Sequence, residues 1–396
     1  MSPVLPFDVV VLIIDIVEEN NDTKLLKELA LVSHSFHQIC IQHLFADVKL
    51  HGVDYDYPTS SKKGFIKLVK SRPNVVNYIR RLTYKVSGSN NGEDHLLSPI
   101  LSNFLPTTSR LNCLAINALS RDWNALDSSL TSALLHLMRF PTINHIDLSY
   151  IGNFPLSSLT SSFNLLRLDM SYLSCFDYPE EGNFFKTLQS EMLPKIREFH
   201  TSSSYKLTMK LLDVKGQDGG PVFNFGDLRQ LSMSLSHFNA EPNIRCLLQN
   251  AKLLERLHLS VDIRQSLVGV LSTSARTLKV LYLTVPLFKY RLPPLAGLCE
   301  ELEAMAGHNA LEVLSFEVLV DSHYTEDSVG STIQEVENVL VKPGWSALRQ
   351  VSFKLPVKDR RGSAELTEAL QSLPDKYLSR LPKLESVAFN YSAYAV

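Results

Sequence analysis

The chain lacks what several functional classes require. Its 396 residues hold five cysteines, Cys40, Cys113, Cys175, Cys246 and Cys299, spaced 53 to 73 residues apart. An odd number with no C-x-x-C pair argues against a disulfide scaffold and a zinc site, so free, buried thiols in a reducing compartment are expected. Charge of one sign is also missing. Lys+Arg 39 against Asp+Glu 41 leaves −2, which excludes a generally basic nucleic-acid binder. No long apolar run exists: the longest uncharged stretch, Leu148 to Leu166, contains Gly152, Asn153, Pro155 and several serines, and does not read as a membrane span. The apolar N-terminal run has no basic residue before Lys24 and is interrupted by Asp8 and Asp15, which does not fit a secretory signal. A soluble protein of the cytoplasm, the nucleus or both is expected.

Catalytic signatures are absent as well. There is no G-x-G-x-x-G, no phosphate-binding P-loop, no H-E-x-x-H and no G-x-S-x-G. Asp213 to Gly220 has glycines and acids without calcium-loop or phosphate-loop spacing, and reads as a surface loop. His34 and His37 stand three apart on a helix with no third ligand spaced to join them, so they read as a polar helix face. Asp321, His323, Glu326 and Asp327 crowd a segment that reads as a solvated acidic loop running to Thr332. No cysteine lies in a sequence context that would lower its pKa. The expectation is a non-enzyme with no cofactor and no metal.

What the chain does have is a repeat. An apolar residue, two others, an apolar, one other, an apolar recurs eleven times, starting at Ile79, Leu111, Ile143, Leu165, Ile196, Leu228, Leu254, Leu278, Leu311, Leu348 and Leu384. Leu254-Glu-Arg-Leu257-His-Leu259 is among the clearest copies. From Ile79 to Leu384 is 305 residues over ten intervals, a mean period of about 30. Helix candidates alternate with the motif, including 127–138, 242–251, 263–274, 295–305, 333–341 and 364–373. Such alternation predicts an α/β solenoid with a parallel sheet over 79–396.

Strand geometry then divides each copy. If positions one, four and six face the core, positions three, five and seven face the other way. The charge and the rings among those outward positions concentrate in the middle copies: Asp147, Arg167, Asp169, Glu198, His200, Arg256, His258 and Tyr282. These eight are the expected binding residues for a partner protein. Arginine and tyrosine are the types that most often dominate interface energy.

Residues 1–50 read differently. Val9 to Val17 would be a strand on propensity alone, yet Pro6 and Asp8 are helix-start residues. Leu25, Leu29, Val32, Phe36, Ile39 and Leu44 then fall at helical spacing. Residues 51–78 connect the two parts, with short amphipathic helices at 65–69 and 75–79 broken at Pro73. Between Asp56 and Glu93 lie eight bases and no acid: Lys62, Lys63, Lys67, Lys70, Arg72, Arg80, Arg81 and Lys85. They alternate with core-facing residues and read as a solvated helix face rather than a nucleic-acid patch.

The blocks Leu5-Pro6-x-Asp8-Val9, Ile13-Ile14-Asp15, Leu29 to Phe36 and His43-Leu44-Phe45, in that order and spacing, resemble an F-box of the fungal type. Phe36 stands where many F-boxes carry tryptophan, and Asp8 where many carry glutamate. The repeats resemble leucine-rich repeats, without the asparagine usual nine positions into each copy; Leu119, Ile151 and Asp262 stand there instead. The resemblance implies a small helical F-box followed by an irregular leucine-rich-repeat-like array. It implies docking on a Skp-family adaptor, and through it a cullin, by Leu5, Pro6, Asp8, Val9, Ile13, Ile14, Leu29, Val32 and Phe36. The function it implies is substrate recognition for a ubiquitin ligase; the alternative is a non-degradative scaffold held on the same adaptor. No membrane is implied.

Overall fold

The computed structural model describes residues 6–20, 22–52, 60–86, 93–174, 194–215, 221–235, 241–261, 269–287, 297–321, 324–358 and 363–396. It divides into two compact units, Met1–Pro194 and Lys195–Val396.

The first unit opens with three helices, α1 (Phe7–Glu19), α2 (Thr23–Leu29) and α3 (His34–Leu44). In α1 the helix-start residues win over β-branched propensity, for a packing reason. A helix places Val10, Ile14 and Val17 on one face, where they bury with Leu26, Ile39 and Cys40. Side-chain caps fix the next two starts: Asp22 accepts from the Leu25 amide at 2.9 Å and Ser33 from the Phe36 amide at 3.4 Å. The module thus has a small core of its own.

Five parallel strands follow in sequence order: β1 (Asp47–Leu50), β2 (Arg81–Lys85), β3 (Cys113–Asp122), β4 (His145–Gly152) and β5 (Arg167–Ser171). Between them run α4 (Ser61–Ser71), α5 (Glu93–Ser102) and α6 (Ser128–Met138). Asp127 caps α6 by accepting from the Leu130 amide. Lys62 on α4 was expected on a solvated face and is instead fully buried. Its ammonium donates to Asp94 at 2.5 Å and lies 4.5 Å from the centre of the Tyr84 ring, while the Tyr84 hydroxyl donates to the same carboxylate at 2.6 Å. Burial pulls the Lys62 pKa down even so. Paired in this way, the ammonium ties α4, α5 and β2 together, and it is withdrawn from any surface patch.

The second unit contains seven strands, β6 (Glu198–Ser202), β7 (Gln230–Leu235), β8 (Arg256–Val261), β9 (Val280–Leu287), β10 (Val313–Val320), β11 (Gln350–Val357) and β12 (Ala388–Ala395), again parallel and in sequence order. Its helices are α7 (Tyr205–Asp213), α8 (Glu241–Asn250), α9 (Leu298–Met305), α10 (Glu326–Leu340), α11 (Ser363–Gln371) and α12 (Leu373–Tyr377). Both units are therefore α/β, with parallel strands and interleaved helices. Among the described residues no helix is long and apolar enough to cross a membrane.

The expected strand register holds from β2 to β11, each beginning at the third motif position. Position one (Ile79, Leu111, Ile143, Leu165, Leu254), position four (Leu82, Leu114, Ile146, Leu168, Leu257) and position six (Tyr84, Ile116, Leu148, Met170, Leu259) are all buried. Thr201 takes position six in β6 and, being polar, bonds to the Thr208 hydroxyl at 3.1 Å.

Three segments depart from expectation. Phe45 to Leu50 is a further copy of the motif, placed by sequence in the helical module; its strand β1 pairs Asp47 with Arg81 and Leu50 with Tyr84. The last copy sits two residues later than read, since Gln350 pairs with Ala388 and Val351 with Phe389. Leu381, in a 3-10 turn over Leu381–Lys383, fills the core just before that strand and delays it. A two-residue slip preserves faces, so the alternation hid it. The acidic segment around Glu326 is a helix start, not a loop. Thr325 and Ser328 form reciprocal cap bonds, and Glu326 and Asp327 sit at the positive end of α10.

Candidate functional site

Each unit carries part of the expected binding set on the strand face opposite its core. In the first unit the third motif positions form an in-register row, Arg81, Cys113, His145 and Arg167, beside a row at position five, Thr83, Ala115, Asp147 and Asp169. These side chains engage one another. His145 Nε2 lies 2.9 Å from Asp169 Oδ2, and its Nδ1 lies 3.2 Å from Cys113 Sγ. Arg167 closes the group from the far side, its Nε donating to both Asp169 oxygens at 3.2 and 3.1 Å and its Nη2 to Oδ2 at 3.0 Å. Burial opposes charge on His145, but the hydrogen bonds to Asp169 and Cys113 outweigh it and push its pKa up to about 9. Burial, and then the neighbouring Asp169, push the Asp147 carboxyl up. Asp147, Arg167 and Asp169 are thus brought together as expected, in a group that largely satisfies itself.

The second unit is arranged otherwise. A groove of about 490 Å³ opens on its outward strand face, lined by His200, Gln230, Ser232, Arg256, His258 and Tyr282 over a floor that includes Leu231 and Leu257. Four of the expected residues line it: His200, Arg256, His258 and Tyr282. Strand register puts His200, Ser232, His258 and Tyr282 side by side on successive strands. His258 Nε2 meets Thr284 Oγ1 at 3.3 Å, and its ring meets Tyr282 edge-on at 6.1 Å between centroids. Tyr282 stays 45% exposed. Glu198 heads β6 opposite Gln230 and does not line the groove. No carboxylate lines it among the described residues, so its lining is cationic and aromatic, with Val280 as an apolar member.

The residues implied by the F-box resemblance separate into two groups. Pro6, Asp8, Val9 and Val32 are exposed, and Ile13 is half-buried. Ile14 is fully buried in the helical core, and Leu29 and Phe36 pack against it, so these three support the module from within. Leu5 lies outside the described residues. The helix α1 nevertheless leaves a second apolar face in water: Phe7, Val9, Leu12 and Ile16 are 59%, 41%, 59% and 50% exposed. Leu31 and Val32, in the turn after α2, are exposed too. Leu12 and Ile16 were not among the expected docking residues; their signal is an α1 apolar on both faces.

Two further features were not foreseen. Tyr150 and Tyr172, at the eighth position of successive copies, stack at 4.6 Å with planes 7° apart, both exposed and both with φ near +54° and +53°. Cys113 received no role because no base is near it in sequence; His145 reaches it only through strand pairing. Among the described residues one trio of metal-ligand types converges: Asp15, Glu18 and His43, with candidate atoms within 4.8 Å of one another. His43 Nδ1 bonds Glu18 and its Nε2 lies 3.9 Å from Asp15, which accounts for the trio as a hydrogen-bonded contact tying α3 to α1. His34 and His37 are engaged separately, with Gln38 and the Ala30 carbonyl.

No protein-family model matches the chain, and no curated protein matches it.

Proposed function

We propose that this protein is a substrate receptor of a Skp–cullin–F-box ubiquitin ligase, an F-box module joined to an irregular leucine-rich-repeat-like solenoid. The single observation that carries the reading is α1, which is apolar on both faces and covers only one. Val10, Ile14 and Val17 are buried, whereas Phe7, Val9, Leu12 and Ile16 stand in water. Exposed apolar surface of that kind marks a docking site, and the F-box blocks name the partner as a Skp-family adaptor. The second unit's groove supplies the other requirement, a place to hold a target. Its cationic and aromatic lining suits a protein segment that offers a carboxylate beside an apolar side chain.

The mechanism asks for no nucleophile from this chain. The adaptor and cullin hold a conjugating enzyme, the groove holds the target, and tethering converts a bimolecular encounter into an effectively intramolecular one. The protein works in the cytoplasm, the nucleus or both. The test is a pulldown of the full chain with degradation blocked, read by mass spectrometry, beside a variant with Arg256 and Tyr282 replaced by alanine. The expected result is that adaptor and cullin are retained by both and a set of other proteins is lost by the variant. Those lost proteins should be ubiquitylated in reconstituted reactions. Captured proteins that never become ubiquitylated would point instead to a scaffold, and a chain that captures no adaptor would end the proposal.

A further inference from the structure

The cluster around Cys113 has a chemistry that target binding does not use. Sulfur, imidazole and carboxylate lie in line across β3, β4 and β5: Cys113 Sγ to His145 Nδ1 is 3.2 Å, and His145 Nε2 to Asp169 Oδ2 is 2.9 Å. Arg167 fixes Asp169 through three contacts between 3.0 and 3.2 Å. This is nucleophile, base and orienting group in sequence. With Nε2–H donated to Asp169, Nδ1 faces the sulfur and is placed to hold its proton. The charged and titratable groups on the strand face of β1 to β5 include Asp47, Lys49, Arg81, Lys85, Cys113, His145, Asp147, Arg167 and Asp169. Arg81 and His145 stand in register on either side of Cys113.

The other described cysteines have no such partner. Cys40 is sealed in the helical core, where burial raises its pKa. Burial and the carboxylates of Glu335, Glu300 and Glu303 push Cys299 up to about 11. Cys246 is half-buried, with only the Asn250 side-chain amide near its sulfur, at 3.7 Å.

The surroundings also decide what kind of reaction the thiol can serve. Acyl transfer needs free N–H donors for an oxyanion. The amides of Cys113, His145 and Arg167 are already donated to the carbonyls of Arg80, Asn112 and Asn144 at 2.9 to 3.1 Å. Conjugate addition needs less such stabilisation, because the enolate spreads its charge over oxygen and the α-carbon. Cys113 is 4% exposed, so only a small reagent reaches it as the covering side chains move.

We infer that Cys113 is an activated thiol, a covalent modification site for small α,β-unsaturated carbonyl compounds, with His145 as its base and Asp169 as the positioning residue. With the thiol's proton held on His145 Nδ1, the sulfur forms a bond to the β-carbon. The carbon–carbon π electrons move to the α-carbon as an enolate, which takes the proton back from the imidazolium. No oxidant is needed, and the neutral imidazole left behind is reprotonated from solvent. The adduct displaces the Cys113–His145 contact on the face that carries Asp147, Arg167 and Asp169.

The test is N-ethylmaleimide labelling of the full chain, followed peptide by peptide by mass spectrometry. At pH 6.5 Cys113 is expected to react about tenfold faster than the more accessible Cys246, or more. His145→Gln should remove that advantage. Asp169→Asn should move the pH profile of Cys113 labelling upward while the Cys246 rate stays fixed. The wild-type comparison stands even if a variant folds poorly. Cys113 reacting no faster than Cys246, or keeping its rate in His145→Gln, would overturn the inference.

Discussion

The outward strand faces of the two units are built from the same motif positions and reach opposite solutions. In the first, Arg167, Asp169, His145 and Cys113 spend their hydrogen-bonding capacity on each other. In the second, His200, Arg256, His258 and Tyr282 line about 490 Å³ of open groove, and among the described residues no carboxylate joins that lining. A charged residue on a repeat surface is thus not by itself a binding residue. What matters is whether the neighbouring strands supply its counter-charge. Asp169 does so in the first unit, and the corresponding positions of β7, β8 and β9 offer Ser232, His258 and Tyr282. The first face is coupled within itself; the second leaves its lining open.

The comparison can be broken most severely through the core beneath the groove. Leu257→Ala or Leu281→Ala opens a cavity at a fully buried position and is expected to cost about 2–5 kcal/mol. His258→Ala and Tyr282→Ala on the opposite face should stay within about 1 kcal/mol. Denaturant unfolding of the four variants checks the ranking, and a reversed order would mean that the strand faces are assigned the wrong way round.

Next in size is the effect on target capture. Replacing Arg256 and Tyr282 by alanine should cost more than about 2 kcal/mol of target binding, as truncated interface anchors do, with thermal stability unmoved. Arg167→Ala should leave capture nearly intact, because its guanidinium serves Asp169. Equal losses in both variants would erase the distinction drawn between the faces.

The smallest effect is a pH dependence confined to the first unit. His145 has a folded pKa of about 9, above its ordinary 6.5. A raised pKa means that the protonated form favours the fold. Its contribution is therefore complete below about pH 6.5 and is lost as pH climbs through about 9, a decline of about 1–3 kcal/mol. Urea unfolding between pH 6 and 9.5 should show that decline, and His145→Gln should flatten it.

Much of this organisation was legible in the sequence, for a physical reason. A strand buried on one face writes its register as alternation, so Leu257 and Leu259 against His258 could be read directly. The groove residues followed from the same parity. Other features depend on information that a linear reading does not hold. The strand Asp47–Leu50 was absorbed into the helical module because four residues carry too little periodicity. The two-residue slip at Ala388 leaves both faces unchanged and is silent in the pattern. The Glu326 segment looked like a loop because its acids serve a helix start that only the Thr325 cap reveals. Cys113 and His145 are 32 residues apart and meet only because β3 and β4 pair in register. Ile14 was expected to face the adaptor, yet helical geometry turns it inward and leaves Leu12 and Ile16 exposed instead.

The central claim is that the open face of α1 is an adaptor-docking surface, and calorimetric titration of a purified Skp-family adaptor into the full chain tests it most directly. A variant with Val9, Leu12 and Ile16 changed to serine leaves Val10, Ile14 and Val17 in place and preserves the helical core. The expected result is stoichiometric binding by the wild type and a loss of more than about 100-fold in affinity for the variant, with unchanged thermal unfolding. Absence of binding by the wild type, or equal affinity in the variant, would contradict the assignment.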